Sequence, residues 1–248
     1  MVLLVDIGNS SIYFGLFEDK IIKKSFRVKS FTDKTSDEYY QLIFPFLKDY
    51  DVEDVIISSV VPVLTSTLKK LFKEYFKLKA LIIGPGIKNG VGINVDDPKS
   101  VGADLICDTA YVTNNEPTLI VDLGTATKYL YIKNKTLHGV VIAPGVTTSL
   151  KALIKSTALL PNIELQAPNK VLGKNTVSCM QSGIIYGTAS QIDSMIERIK
   201  EEVEVENLNV VATGGLAKLI VPYCKNEILV DEELLLKGIM NIYNLNRK

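Results

Sequence analysis

The chain has 248 residues, 47% of them apolar, and 28 basic side chains balance 28 acidic ones. This composition supplies a core for each of two globular domains of about 120 residues, and zero net charge argues against a broad basic face for nucleic acid. Three widely spaced cysteines with no C-x-x-C pair, and a single histidine, exclude a disulfide framework, a multi-histidine metal site and a histidine-based triad. The cysteines read as buried thiols, and His138 as a turn or strand residue. No apolar run approaches the roughly 18 residues of a membrane span, and no secretory leader is visible. A cytoplasmic protein without membrane or nucleic-acid partners is expected.

Leu3 to Ile7 is an apolar run of strand length, interrupted by Asp6 and followed by Gly8-Asn9-Ser10-Ser11 and the returning pair Ile12-Tyr13. It reads as strand, tight turn, strand. A turn at Glu18-Asp19-Lys20 and the run Ile21 to Val28 complete an antiparallel meander. Thr35 or Ser36 caps a helix from Asp37 towards Asp49, which Pro45 should kink or end early. Val55 to Ser58 is a buried strand, and Pro62 opens a helix whose Leu64, Leu68, Leu71, Phe72, Tyr75 and Phe76 form a core stripe. After a short strand at Leu81 to Ile83, residues Lys88 to Pro98 form the longest irregular stretch. Asp97-Pro98 begins a helical segment carrying Gly102-Ala103-Asp104-Leu105, and Thr113 to Pro117 is a polar boundary.

The second half restates the first. Leu119-Ile120-Val121-Asp122-Leu123-Gly124-Thr125-Ala126-Thr127-Lys128-Tyr129 repeats the opening pattern, with Asp6 on Asp122 and Gly8 on Gly124 at one constant offset. Thr136 to Ala143 is a strand stopped by Pro144-Gly145, and Val146 to Thr157 a helix. Gly173-Lys174-Asn175-Thr176 introduces the longest helix, whose face is Val177, Met180, Ile184, Thr188, Ile192, Met195 and Ile199. Gly183 and Gly187 lie one turn apart on a neighbouring face that lets another backbone come close. A strand at Leu208 to Thr213 leads through Gly214-Gly215 into a short helix, then come a strand at Ile228 to Val230 and a closing helix from Glu232 to Asn246. The class is α/β.

An Asp-x-Gly turn is what hairpins want on conformational grounds alone. Two copies favour phosphate binding: glycine admits a close backbone, N–H groups and short hydroxyls meet phosphate oxygens, and the carboxylate holds a neutralising cation. Phosphate turns in both halves with a late Gly-Gly turn resemble the actin-like ATPase fold of actin, the Hsp70 chaperones and the sugar kinases. This implies two related ribonuclease-H-like domains, residues 1–116 and 117–248.

Nine motifs in order sharpen the resemblance: Asp6-Ile7-Gly8-Asn9-Ser10, Ile57 to Pro62, Gly84-Pro85-Gly86, Val101 to Asp104, Asp122 to Thr127, Val141 to Gly145, Gly173 to Thr176, Met180 to Gly183 and Ala212 to Ala217. Together they resemble the type III pantothenate kinases. The resemblance implies ATP-dependent phosphorylation of pantothenate, the first step towards coenzyme A, with Mg²⁺, a monovalent cation (K⁺ or NH₄⁺), and a homodimer. Asp6, Ile7, Gly8, Asn9, Ser10, Ser11, Ile12 and Tyr13 match the first phosphate loop, with Asp6 on the Mg²⁺ side. Asp122 is similar to the monovalent-cation ligand, and Gly124, Thr125, Gly214 and Gly215 to further nucleotide contacts. Asp104 matches the catalytic base, although a carboxylate near a helix start also serves as a dipole partner. Val95, Gly102, Ala103, Asp104, Leu105 and Thr176 match the pantothenate contacts. Three positions depart from the family pattern: Leu105 stands where it usually has Arg, Asn162 lies in the Leu160-Pro161-Asn162 segment where it often has Arg, and Val95 stands where it usually has Tyr. Arg binds carboxylates through paired charged hydrogen bonds, so a same-fold kinase for another hydroxylated acceptor stays open, as does a nucleotide-binding regulator.

Overall fold

The structure is a computed structural model that describes residues 1–19 and 21–247; Lys20 of the expected Glu18-Asp19-Lys20 turn lies outside the described residues. By contacts the chain divides into two units. The first is Met1–Gly92, Asp96–Thr113 and Glu233–Lys248, and the second is Ile93–Val95 and Asn114–Glu232. This grouping and the chain-order division at residues 116 and 117 differ in three places: the closing helix groups with the first unit, and Ile93–Val95 and Asn114–Glu116 with the second.

The first unit opens with the antiparallel meander β1 (Val2–Ile7), β2 (Ser11–Glu18) and β3 (Ile21–Lys29). Helix α1 (Ser36–Leu47) follows, then β4 (Asp54–Ser59), α2 (Pro62–Tyr75) and β5 (Leu81–Ile82). Parallel pairing of β1 with β4 and of β4 with β5 gives the sheet order β3-β2-β1-β4-β5. Thr35 caps α1 in a reciprocal box with Glu38. The helix runs through Pro45 and ends at Leu47, so the proline is tolerated in the last turn.

Alternation along the strands sends Leu3, Val5, Ile7, Ile12, Phe14 and Leu16 to one face, where they meet Tyr39 and Ile43 of α1 and Leu64, Leu68 and Phe72 of α2. Each such burial contributes roughly 1.5–3 kcal/mol. Leu4, Tyr13 and Ile56 face the other way, onto α3 (Ala103–Tyr111) and the closing helix α7 (Leu234–Asn246). Asp6 and Ser58 share that second face by register, since Asp6 pairs Ser58 across β1 and β4.

Between β5 and α3 the expected irregular stretch contains a two-residue strand, β6 (Gly92–Ile93), at the edge of the second sheet. A strand that short leaves no periodicity to read. The expected single helical segment from Asp97 is also two pieces: a 3-10 turn at Pro98–Ser100 and then α3, separated where Gly102 is extended. Asp104 therefore lies in a helix's first turn, where the positive end of the dipole favours an acid.

The second unit repeats the arrangement with β7 (Thr118–Leu123), β8 (Ala126–Lys133), β9 (Thr136–Pro144), α4 (Val146–Lys155), α5 (Thr176–Glu202), β10 (Asn209–Thr213), α6 (Ala217–Ile220) and β11 (Leu229–Val230). Its sheet order, β11-β10-β7-β8-β9-β6, is the first sheet's order with β6 added. Leu119, Val121, Leu123 and Tyr129 pack on Ile185, Ala189, Ile192 and Ile196 of α5. The buried face of α5 is thus turned from the expected one: Val177 is exposed, and Ile184, Met195 and Ile199 flank the core. An apolar stripe wider than 100° fixes a helix's side but not its centre, and Ala189 sits at the centre. Gly183 and Gly187 are exposed, with nothing within 4 Å of an added Cβ. Of the cysteines, only Cys107 is buried; Cys179 is exposed on α5 and Cys224 is intermediate. No helix among the described residues is long and apolar enough to cross a membrane.

Candidate active site

In the first unit the chemistry gathers at the carboxyl end of β1. The turn is closed by Gly8 N–H donating to Ser11 O at 3.1 Å and tied to β3 by Ser30 Oγ donating to Gly8 O at 2.6 Å. Asn9 and Ser10 are exposed, whereas the side chains of Ile7, Ile12 and Tyr13 are buried. Of the expected loop, those three residues serve as frame, and the accessible groups belong to Gly8 through Ser11. Arg27 stacks on Tyr13, 3.5 Å from its ring centroid.

Asp6 is half-buried and accepts a hydrogen bond from Ser58 Oγ at 3.0 Å. Behind them lies the fully buried Cys107 of α3. Burial pushes its thiol well above the ordinary range; a hydrogen bond with Ser58 works against this, and the charges of Asp6, Asp108 and Asp104 add to it. The thiol stays protonated and is no nucleophile. Asp104 and Asp108 lie one turn apart on α3 with Cys107 between them in sequence, and Asp6 accepts from the same Ser58 that hydrogen-bonds the Cys107 thiol. Gly102 caps α3, and Ala103 and Leu105 flank Asp104 in its first turn, all partly buried. Ser58 lies in the Ile57 to Pro62 motif, but neither it nor Asp108 carries an expected role. Register across β1 and β4, and the i, i+4 spacing on α3, were the signals available.

In the second unit the turn is shorter. Ile7 pairs Ile12 across the first turn, enclosing Gly8, Asn9, Ser10 and Ser11; Leu123 pairs Thr127 across the second, enclosing Gly124, Thr125 and Ala126. The residue opposite Asp6 is Tyr13, but the one opposite Asp122 is Lys128. Its ammonium lies 2.7 Å from Asp122 Oδ2, and both side chains are only 13% exposed. A monovalent cation placed about 4 Å from that ammonium would be repelled by about 4 kcal/mol at an effective dielectric near 20.

Two neighbouring loops brace this turn. Gly145, the residue before α4, donates to Thr125 O at 3.2 Å, and Thr148 Oγ1 donates to the same oxygen at 2.8 Å. A Cβ on Gly145 would lie 2.4 Å from the carbonyl oxygens of both Gly124 and Thr125. Gly214, at φ +91°, follows β10 and comes so close to Leu123 that a Cβ would lie 2.6 Å from its carbonyl. Only glycine meets both demands there. Thr125 and Gly215 are exposed at the rim. Val95 belongs to this unit and is half-buried, Thr176 is the exposed first residue of α5, and Asn162 is exposed in an irregular segment.

A family model described as type III pantothenate kinase matches residues 2–198. The chain belongs to the type III pantothenate kinase family. It is 46% identical over 248 residues, the whole of both chains, to the type III pantothenate kinase of Acholeplasma laidlawii (strain PG-8A). Among solved structures it is similar to a protein of Campylobacter jejuni described as a Baf family transcriptional activator, at TM-score 0.63, 20% identity and 98% coverage of each chain. It is also similar to one from Sinorhizobium meliloti described as a 2-dehydro-3-deoxygalactonokinase, at TM-score 0.61, 12% identity and coverage of 98% of this chain and 96% of that one. Those structural likenesses carry the fold, which is that of the actin-like ATPases and sugar kinases. Membership of the family makes the chain a kinase.

Proposed function

We propose that this chain transfers the γ-phosphoryl group of ATP to the terminal hydroxyl of pantothenate, with Asp104 as general base. The P–O bond to ADP breaks, a P–O bond to the hydroxyl oxygen forms, ADP leaves, and the hydroxyl proton passes to the Asp104 carboxylate. The observation that carries this reading is Asp104 in the first turn of α3 in a kinase-family chain, with Asp6 held by the Ser58 hydroxyl that also meets Cys107 of that helix. Phosphoryl transfer needs positioning and charge neutralisation more than covalent machinery. The full-length relative supports pantothenate as the acceptor.

Asp6 would hold Mg²⁺. Its carboxylate is a hard oxygen donor at the lip of a phosphate turn, and Ser58 fixes one oxygen. Among the described residues no three His, Cys, Asp or Glu side chains form a metal cage, which suits Mg²⁺ held by one or two carboxylates with phosphate oxygens. The ion, when bound, would neutralise charge on the β- and γ-phosphates. Exposed groups of Gly8 through Ser11, of Gly124 and Thr125, and of Gly214 and Gly215 are assigned to nucleotide phosphates. Gly102, Ala103, Leu105, Val95 and Thr176 are assigned to the acceptor. The open Gly183–Gly187 face of α5 supports a homodimer, and the enzyme is expected in the cytoplasm.

The test is ADP release with Mg²⁺-ATP in the presence and absence of pantothenate. Pantothenate-dependent ADP release with stoichiometric phosphopantothenate is expected. ATP binding without release with any hydroxylated acceptor would overturn the kinase reading in favour of a nucleotide-binding regulator.

A further inference from the structure

The two turns share a backbone plan but differ by one residue, and that difference has a chemical result. Side chains alternate faces along a strand, so removing one residue from a hairpin turn exchanges which side chain of the returning strand lies beside a given partner. By the constant offset of the repeat, Tyr129 corresponds to Tyr13, which lies opposite Asp6. With the second turn one residue shorter, Tyr129 lies opposite Val121 and is buried, and Lys128 takes the place beside Asp122. The ammonium is in hydrogen-bonding range at 2.7 Å, and the pair is largely withdrawn from water.

A carboxylate at a phosphate turn is a like charge to the phosphates and needs a cation to offset it. The resemblance expects a monovalent cation for that task at Asp122. The residues do not fit such an ion, because the carboxylate is already held by a cation that the chain carries itself, and a second one would meet the ammonium. We propose that Lys128 replaces the monovalent cation at the second phosphate turn, so that nucleotide binding and turnover require neither K⁺ nor NH₄⁺. This inference rests on the phosphoryl-transfer reading above. Lys128 acts through Asp122 and the turn, and is a positioning residue.

The experiment measures binding of a fluorescent ATP analogue (MANT-ATP) with Mg²⁺ in tetramethylammonium chloride, and then in KCl or NH₄Cl at equal ionic strength. ADP release is measured in parallel. The wild-type chain is expected to give the same affinity in all three salts. Lys128→Met should weaken binding in tetramethylammonium about tenfold, the usual scale for losing a hydrogen-bonded charge, and K⁺ should restore much of it. Lys128→Arg should behave as the wild type does. Wild-type affinity that rises with K⁺ but not with tetramethylammonium would overturn the proposal, and so would a folded Lys128→Met chain indifferent to both. If Lys128→Met does not fold, the wild-type salt series and the charge-removed pair Asp122→Asn/Lys128→Met decide by the same criterion of K⁺ dependence. The binding arm contains no pantothenate, so a wrong acceptor does not alter its outcome.

Discussion

The two Asp-x-Gly turns follow one backbone plan, one residue shorter in the second copy, and give their carboxylates different partners. In the first unit, Asp6 accepts a hydrogen bond from the neutral Ser58 hydroxyl. In the second, Asp122 is matched at once by Lys128. One carboxylate is tied to a neutral hydroxyl, and the other to a cation that the chain carries itself. Duplication supplies the backbone, and each copy's neighbours decide what its carboxylate does. Each turn is closed by its own backbone, Gly8 N–H to Ser11 O and Gly124 N–H to Ala126 O, but the first is braced from outside by Ser30 and the second by Gly145, Thr148 and the close approach of Gly214.

The strongest way to break this contrast is at Asp104. Asp104→Asn removes proton acceptance with shape retained, so kcat should fall about 10²- to 10⁴-fold while MANT-ATP affinity is unchanged. Near-normal turnover in steady-state assays would reduce Asp104 to a dipole partner of α3 and take the reacting carboxylate out of the first unit. The bracing is tested next. Gly145→Ala drives a methyl into two backbone carbonyls and should cost about 1–3 kcal/mol in urea unfolding. Gly8→Ala should cost less, because its Cβ meets only Ser11 O, at 3.1 Å. Equal costs would mean that the two turns are braced alike. The smallest effect is expected from Ser58→Ala. Losing one hydrogen bond of about 1 kcal/mol should raise the Mg²⁺ concentration for half-maximal turnover about fivefold, and an unmoved Mg²⁺ titration would detach Ser58 from the orientation of Asp6.

Much of this was legible in the residues. The apolar runs, the cap at Thr35 or Ser36, the Gly173 to Thr176 stretch before the longest helix and the two turns place nearly every element. The order of nine short motifs identifies the family where no single motif does. What could not be read is what depends on a neighbour's register. Lys128 escaped because an alignment on Asp and Gly carries Tyr129, not Lys128, to the position of Tyr13; only the shorter turn makes the exchange. Strand β6 is too short to announce itself, and Ala189 is too small to mark the centre of a buried helix face. Ser58 reads as an ordinary strand-end hydroxyl until its parallel pairing sets it beside Asp6.

Helix α7 gives the fold an order of assembly. It is the last helix in sequence, yet with α3 it covers the second face of the first sheet, burying Leu236, Ile239 and Ile242. The fit is close enough that a Cβ on Gly238 would lie 1.8 Å from the carbonyl oxygen of Cys107. A chain leaving the ribosome folds as its segments emerge, so the first sheet, with Asp6 in place, must wait half-covered while residues 114–232 are made. Those residues hold all of the second unit except Ile93–Val95, which emerge earlier still. The part that begins first is therefore the part that closes last, and the helix bearing Asp104 gains its packing partner only after the whole second unit has appeared.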